Sequence, residues 1–257
     1  MTVDVNTFIG SYAYRSLPDT DASSLASGLA ADGIAEAWVS HLGAVLWRDP
    51  TEGNALLTEA ASEHTSFRPV FAVHPGMAHW VRVLQAAGDA GAPVVRCDPG
   101  FYGLDSTGVA VRRLVAACGE AALPLMLTVK LEDVRQRHPN DAAPELTAAT
   151  IRTLVRSDAR ARLLVAAADR SFVEEVHFGC TPEESERIWW DIGWIWGPPE
   201  DHLALLLGTV GPERFVFGSA RPLRIPESAR AKLDLLEVDE ATRALIAEGN
   251  ARRLTGR

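Results

Sequence analysis

The sequence predicts an α/β protein with a single (β/α)8 barrel over residues 1–257. Short apolar segments alternate with helical segments along the whole chain, and eight of the apolar segments have the length of buried strands. The chain length of 257 residues suits eight such units in one closed barrel better than an open, doubly wound sheet. No glycine-rich phosphate-binding motif follows any strand, so no nucleotide cofactor is expected.

Each predicted strand has its own signal. Residues 2–10 alternate apolar and polar positions, and the later strands are apolar runs bounded by turn residues, as buried parallel strands are. The last of them, FVFG, follows a Gly-Pro turn. The predicted strands are residues 2–10, 34–43, 67–74, 93–98, 123–130, 162–169, 187–194 and 214–218.

The helices between them are recognised by apolar stripes and by their ends. Asp21 is the predicted N-cap of an alanine-rich first helix, and Gly33 follows its end. Val111, Leu114 and Cys118 lie on one stripe of a later helix. The predicted helices are residues 21–32, 52–64, 77–87, 109–122, a segment with apolar positions from 146 to 155, residues 171–177 and 201–210, and a last block ending at 249–254.

Composition limits the class of partner. The net charge of −9 argues against a nucleic-acid partner. No apolar run is long enough to span a membrane, and no signal peptide is recognisable at the N-terminus. The three cysteines, Cys97, Cys118 and Cys180, are widely spaced and indicate a reducing compartment. We therefore expect a cytoplasmic protein that acts on a small molecule.

Polar residues collect where the predicted strands end, which is the active-site end of such barrels. Arg96, Lys130 and Arg221 bring fixed positive charge there, which suits a carboxylate or phosphate substrate. Pairing of these cations with neighbouring carboxylates is an equally good interpretation. The predicted substrate-binding residues are Asn6, His41, Arg96, Lys130, Asp169, Trp194 and Arg221.

Acid–base groups are predicted at two places. His74 ends the third strand, and His138 lies in the charged segment KLEDVRQRHP together with Glu132 and Asp133. A histidine oriented by a carboxylate can move protons near neutral pH, so His74 or His138 is the predicted base and Glu132 or Asp133 its orienting group. An Asp133–Arg135 pair that only braces the loop is the alternative.

Four tryptophans surround the seventh strand. They could form a stacking wall for a planar substrate, pack in the core, or line an aromatic-rich interface of a homodimer. Trp194 and Trp196 are the best candidates for a pocket. The four are Trp189, Trp190, Trp194 and Trp196.

The segments FGSARPL, at residues 217–223, and GNARRL, at residues 249–254, resemble the closing strand and last helix of the amidohydrolase-related TIM-barrel hydrolases. This resemblance implies metal ligands from a His-x-His pair on the first strand and an Asp on the last. Those positions hold Asn6, Phe8 and Ala220 here, and the fifth strand offers Thr128 and Lys130. We therefore expect no catalytic metal and no other cofactor, although His41, His74 and His138 are potential ligands for a different site.

Residues 130–139 and the segment RCDPGFYG, at residues 96–103, resemble a subgroup of these proteins that also lacks the usual metal ligands. The expectation is an amidohydrolase-like enzyme that acts on a small organic acid, amide or lactone by metal-independent acid–base catalysis. A decarboxylase or other lyase for an anionic substrate is one alternative. A catalytically inactive barrel that binds a ligand or partner is the other.

Overall fold

A computed structural model describes residues 1–256. All the predicted strand regions form parallel strands with helices between them, which confirms the (β/α)8 fold class. The third predicted strand is divided in two. The strands are β1 Val3–Ile9, β2 Glu36–His41, β3 Phe67–Pro69, β4 Phe71–Ala72, β5 Val95–Arg96, β6 Leu125–Thr128, β7 Leu163–Ala166, β8 Ile188–Asp191 and β9 Phe215–Val216.

The helices follow the predicted order, with short additional turns. Asp21 caps the first helix as expected, since its carboxylate accepts a hydrogen bond from the amide of Ser24 at 2.9 Å. The helices are α1 Ala22–Ala31, α2 Leu42–Leu46, α3 Thr51–Glu63, α4 Trp80–Asp89, α5 Val109–Glu120, α6 Ala148–Ser157, α7 Arg170–Phe178, α8 Pro182–Ser185, α9 His202–Val210, α10 Pro226–Leu235, α11 Glu240–Ala244 and α12 Asn250–Thr255. Within residues 1–256, none is both long and apolar enough to cross a bilayer.

The strands form a three-stranded sheet, β1-β2-β3, and a six-stranded sheet, β4 to β9. The division falls between β3 and β4 because Asn54 of α3 replaces part of the strand ladder. Its side-chain amide donates to the carbonyl of Ala72 at 2.8 Å and accepts from the amide of Ala72 at 2.9 Å. Pro69 lacks an amide hydrogen and also limits the ladder here.

The seam between β1 and the segment after β9 is held by individual hydrogen bonds rather than a regular ladder. The amide of Val5 donates to the carbonyl of Phe217 at 2.9 Å, and the amide of Ala220 donates to the carbonyl of Asn6 at 2.8 Å. The buried carboxylate of Asp4 accepts from the amides of Asn6 and Ser219 at 3.1 and 3.0 Å. Asp4 therefore joins the first strand to the chain that leaves the last one.

The barrel interior has an apolar floor and a polar layer above it. Ala251 and Leu254 of α12 pack against the floor residues. Side chains two residues apart on a strand share a face, so each polar residue lies one layer above an apolar one. Trp38, Val94, Met126 and Trp189 of the floor are followed in this way by Ser40, Arg96, Thr128 and Asp191.

Candidate functional site

A charged network crosses the centre of the barrel. The fully buried Arg96 of β5 donates from Nη2 to Oδ1 of Asn6 at 2.6 Å. Asn6 in turn donates from Nδ2 to the carboxylate of Asp191 at 2.8 Å. The guanidinium carbon also lies 4.5 Å from the centroid of the Phe8 ring. A cation, an amide and a carboxylate from three strands are thus linked in one chain of contacts.

Several polar atoms in and beside this network have no hydrogen-bond partner among residues 1–256. Among residues 1–256, Nε and Nη1 of Arg96 have no hydrogen-bond partner. Asp98, two residues beyond Arg96, is also buried, and Thr128 lies close enough to lower its pKa without a well-aligned hydrogen bond. Burial raises the pKa of Asp98 and of Asp191, and it lowers the pKa of Arg96. Arginine nevertheless keeps its proton in proteins, so a positive charge remains at the centre.

Apolar side chains cover this network at the carboxyl end of the barrel. They come from β1, from α2 and from the loops after β1, β6 and β9, and they form one buried cluster. A cavity of only about 20 Å³ remains against Asp98 and Thr128, which is room for about one water molecule. The covering residues are Phe8, Tyr12, Leu42, Val45, Leu131, Ala220 and Leu223.

An open cleft of about 360 Å³ lies beside the covered centre, between the loop after β8 and helix α10. We call it the Arg224 cleft. Its wall includes the indole of Trp196, which is 55% exposed and supplies the open aromatic surface. The lining residues are Asp133, Arg135, Gly193, Trp194, Ile195, Trp196, Gly197, Pro198, Glu200, Arg224, Ser228, Ala231, Lys232 and Leu235.

Two cations are held on Trp194, a wall residue of this cleft. The guanidinium carbon of Arg224 lies 3.9 Å from the indole centroid, and Nζ of Lys130 lies 5.0 Å from it. Within residues 1–256, the contact of the Arg224 side chain is this stacking on Trp194, with no hydrogen bond or ion pair to a protein group. Burial lowers its pKa, and the more distant charges of Asp191, Glu132 and Asp133 oppose that change. Arg224 therefore presents a positioned, unpaired cation to the cleft.

Lys232 holds the loop that forms the floor of the Arg224 cleft. Its ammonium group donates to the carbonyls of Ile192, Gly193 and Ile195 at 2.6, 2.9 and 2.9 Å. All three ammonium hydrogens are therefore used. Burial lowers the pKa of Lys232 to about 8. The ammonium group donates only to backbone carbonyls, so Lys232 shapes the cleft rather than binding an anion.

The carboxylates near the cleft already have cationic partners. Asp133 accepts a two-armed contact from Arg135 at 2.9 Å, and this hydrogen bonding lowers the pKa of Asp133. Glu132 is buried against Arg15, with 3.0 Å between Nε and Oε1. The Asp133–Arg135 brace considered from the sequence is therefore present.

Asp169 has a second role besides its contact with Lys130. Its carboxylate lies 3.9 Å from Nζ of Lys130. It also caps α7 by accepting from the amide of Phe172 at 3.0 Å. The predicted residues Lys130, Glu132, Asp133, Asp169 and Trp194 thus lie near one another.

The predicted histidines do not join this group. His41 and His74 are buried, and Nδ1 of each accepts a backbone amide at 3.1 Å. Burial lowers the pKa of both rings, which favours their neutral form. His74 stacks on Tyr102 with 4.3 Å between ring centroids. His138 is exposed and stacks on Tyr14, so its ring lies on the outside of the loop.

Arg221 does not point into the barrel mouth as its position suggested. It makes ion pairs with Asp19 at 3.1 Å and Asp32 at 2.7 Å, and its guanidinium packs on α1 where Gly28 has no side chain. The cis peptide bond to Pro222 belongs to the same turn. Arg224, three residues later, was missed because nothing in the sequence distinguishes it from other surface arginines.

Comparison with known proteins gives the family. The amidohydrolase family model matches residues 43–257, and the chain belongs to this family. No curated protein sequence matches it significantly.

Similar solved structures include 2,6-dihydroxybenzoate decarboxylase from Rhizobium, with 15% identity, a TM-score of 0.72, and coverage of 99% of this chain and 98% of that one. A dihydroxybenzoic acid decarboxylase from a Polaromonas species, with bound manganese and 2-nitroresorcinol, has 12% identity, a TM-score of 0.72, and coverage of 99% and 96%. A "probable 2-pyrone-4,6-dicarboxylic acid hydrolase" from Acinetobacter baumannii, with bound citric acid, has 12% identity, a TM-score of 0.70, and coverage of 100% and 99%. At these identities the likeness establishes the fold.

The residues at the barrel centre do not fit a metal held in the manner of the family. Asn6, Phe8 and Ala220 stand where the family resemblance implies two histidines and an aspartate. Neither a phenyl ring nor a methyl group can bind a metal, and the Asn6 oxygen already accepts from Arg96. In residues 1–256 no group of three His, Cys, Asp or Glu side chains is arranged to hold an ion.

Proposed function

We propose that this chain is an enzyme that binds a small planar organic anion in the Arg224 cleft and decarboxylates it. The observation that supports this most directly is the Arg224 guanidinium, which lines the cleft, is fixed on Trp194 and has no carboxylate partner. Partial burial strengthens its attraction for a ligand anion, because less water screens the charge. Lys130, on the same indole, adds a second positive charge.

The shape and composition of the cleft favour a planar ligand. A volume of about 360 Å³ suits a molecule of roughly one substituted aromatic ring. Trp194 is covered by cations, whereas the Trp196 indole is open for stacking. A carboxylic acid with a hydroxyl or carbonyl group next to its carboxylate combines the required charge, planarity and size.

The ionisation of the site favours decarboxylation over hydrolysis. Hydrolysis needs a base to activate water, but Asp133 and Glu132 are paired with arginines, and His41 and His74 accept backbone amides. Nδ1 of His138 also accepts a backbone amide, from Asn140 at 3.1 Å, and His138 does not line the Arg224 cleft. Cofactor-free decarboxylation instead needs cations where negative charge develops. The solved decarboxylases of hydroxybenzoates share this fold.

The bond changes in the proposed reaction balance without a cofactor. For a hydroxybenzoate, the phenolate oxygen next to the carboxylate lies near Arg224. Lys130 donates a proton from Nζ to the ring carbon that bears the carboxylate, and the phenolate oxygen becomes a carbonyl. The bond from this carbon to the carboxylate then breaks, carbon dioxide leaves, the electron pair restores the aromatic ring and the phenolate, and solvent returns a proton to Lys130. In this scheme Arg224 is the anion-binding group and Lys130 the general acid.

A second candidate function is ligand binding without catalysis. The closed apolar cover over Arg96 and Asp98 favours it, because it removes the usual reaction centre of such barrels from solvent. The Arg224 cleft would then be a receptor site. Hydrolysis of an amide or lactone, as the sequence suggested, needs a base that is free of ion pairs.

The test combines binding with product analysis. Titration calorimetry with salicylate and 2,6-dihydroxybenzoate should show binding, and the uncharged salicylamide should bind at least about tenfold more weakly. Arg224→Met should weaken salicylate binding by roughly 10- to 100-fold. Arg230→Met is the matched control, because Arg230 lies on α10, shortly after Arg224 in the chain, but pairs with Asp234 outside the cleft.

The products then separate the candidate functions. Release of carbon dioxide and a phenol from either acid, lost in Lys130→Met, supports decarboxylation. Binding that depends on Arg224 without any product identifies a ligand-binding barrel. Ring opening of a lactone under the same conditions identifies a hydrolase. Equal affinities of Arg224→Met and the wild-type protein for salicylate would contradict the proposed site itself.

A further inference from the structure

We propose that the Arg96 guanidinium occupies the place where metal-dependent relatives hold a divalent cation, so that the protein carries its own cation at the barrel centre. This proposal concerns the covered centre of the barrel. It does not depend on the reaction proposed for the Arg224 cleft.

The contacts of Arg96 locate it at the former metal position. The family resemblance implies two metal ligands at Asn6 and Phe8. The guanidinium contacts both of these side chains, by a 2.6 Å hydrogen bond to Asn6 Oδ1 and by lying 4.5 Å from the Phe8 ring centroid. A side chain that touches both positions fills the space between them. The substitution of Phe8 for a ligand is also favourable, because an aromatic face attracts a guanidinium.

The surrounding charges are those that a cation at this place requires. Asp98 and Asp191 are both buried and both act electrostatically on Arg96. Asn6 relays the contact to Asp191. Burying two carboxylates without a nearby cation would cost folding free energy, and either a guanidinium or a metal ion can supply that positive charge. The unpartnered Nε and Nη1 of Arg96 indicate that the carboxylates surround the cation without forming a close ion pair.

A specific consequence separates this proposal from a purely structural role of Arg96. If the side chain stands in for a cation, its removal leaves a gap beside Asn6 and within electrostatic reach of Asp98 and Asp191. Amide and carboxylate oxygens are ligands that Mn²⁺ accepts. Truncation should therefore create a Mn²⁺ site that the wild-type protein does not have.

The experiment measures Mn²⁺ binding by electron paramagnetic resonance and thermal stability by circular dichroism, with and without roughly 1 mM Mn²⁺. Arg96→Ala should bind one equivalent, and its lowered Tm should rise by roughly 5 °C or more with the ion. The wild-type protein should show neither effect. Arg214→Ala is the matched control, because Arg214 also lies on an aromatic ring, 4.8 Å from the Trp189 centroid, at the opposite end of the barrel.

Two further variants keep the proposal testable if Arg96→Ala does not fold without metal. Folding of Arg96→Ala only in the presence of Mn²⁺ supports it. Arg96→Lys should keep most of the wild-type Tm, whereas the uncharged Arg96→Met should lose at least about 10 °C. Stoichiometric Mn²⁺ binding at the centre of the wild-type protein, an Arg96→Ala variant that folds but ignores Mn²⁺, or an Arg96→Met variant as stable as wild type would each overturn the proposal.

Discussion

Asp4 makes the stability of the barrel seam depend on pH. Its carboxyl group is fully buried, and burial raises its pKa from 3.8 to about 7, against the opposing effect of hydrogen bonds from Ser219 and Asn6. The folded protein therefore keeps a proton on Asp4 over a pH range in which the unfolded chain has lost it. Asp4→Asn tests this dependence, because asparagine resembles the protonated acid and keeps an oxygen to accept the amides of Asn6 and Ser219.

The magnitude follows from the two pKa values. A group whose folded pKa is raised above its unfolded value stabilises the fold at low pH and loses that stabilisation as pH rises from 3.8 to about 7. At about 1.4 kcal/mol per pH unit, Asp4 costs the wild-type protein on the order of 4 kcal/mol across this range. Asp4→Asn avoids this cost, so its advantage should grow by roughly 2 to 3 kcal/mol between pH 5 and 7.

Urea unfolding of both proteins at pH 5, 6, 7 and 8 measures this difference. Carboxyl groups other than Asp4 titrate in both proteins and largely cancel in the comparison. Asp4→Ala is the control for the hydrogen bonds: it should be destabilised by about 1–3 kcal/mol for each of the two buried amides it leaves unpaired. A difference between Asp4→Asn and wild type that stays constant within about 0.5 kcal/mol from pH 5 to 8 would refute the reasoning.

Two other substitutions test the packing around the sites. Lys232→Met leaves three buried carbonyls without a donor, so the free energy of unfolding measured in urea should fall by roughly 2–5 kcal/mol. Arg230→Met removes an exposed ion pair, so its free energy of unfolding should fall by less than about 1 kcal/mol. Gly28→Ala should lower the Tm although alanine favours helices, because the new Cβ would overlap the Arg221 guanidinium. Gly88→Ala is the control and should raise the Tm, because no atom lies where its Cβ would be. A raised Tm in both variants would show that the Arg221 side chain moves freely.

The sequence was sufficient for the fold, because the fold depends on patterns that recur along the chain. Each unit carries an apolar strand and an amphipathic helix, and each must be buried against its neighbours. Boundaries were less accurate where tertiary contacts replace the ladder. The predicted strand 67–74 is broken because the Asn54 side chain takes both hydrogen bonds of Ala72, and no local pattern signals a contact between residues so far apart.

The sequence also indicated which strand ends are polar, and Lys130, Asp169 and Trp194 do lie together. It did not indicate the direction of long side chains. Arg221 comes soon after β9, but its side chain pairs with Asp19 and Asp32 instead of entering the barrel mouth. Arg224 instead reaches the cleft.

What the sequence determined by itself was the order of strands and helices and the residues, Asn6, Phe8 and Ala220, that stand where the family resemblance implies metal ligands. What only the tertiary structure decided was which charges are paired. Arg96 and Arg224 are the same residue type in the sequence. In the structure, the Arg96 guanidinium is buried on Phe8, whereas the Arg224 guanidinium is unpaired on Trp194. The difference is made by desolvation and by partners from other strands, which depend on distances that only the folded chain defines.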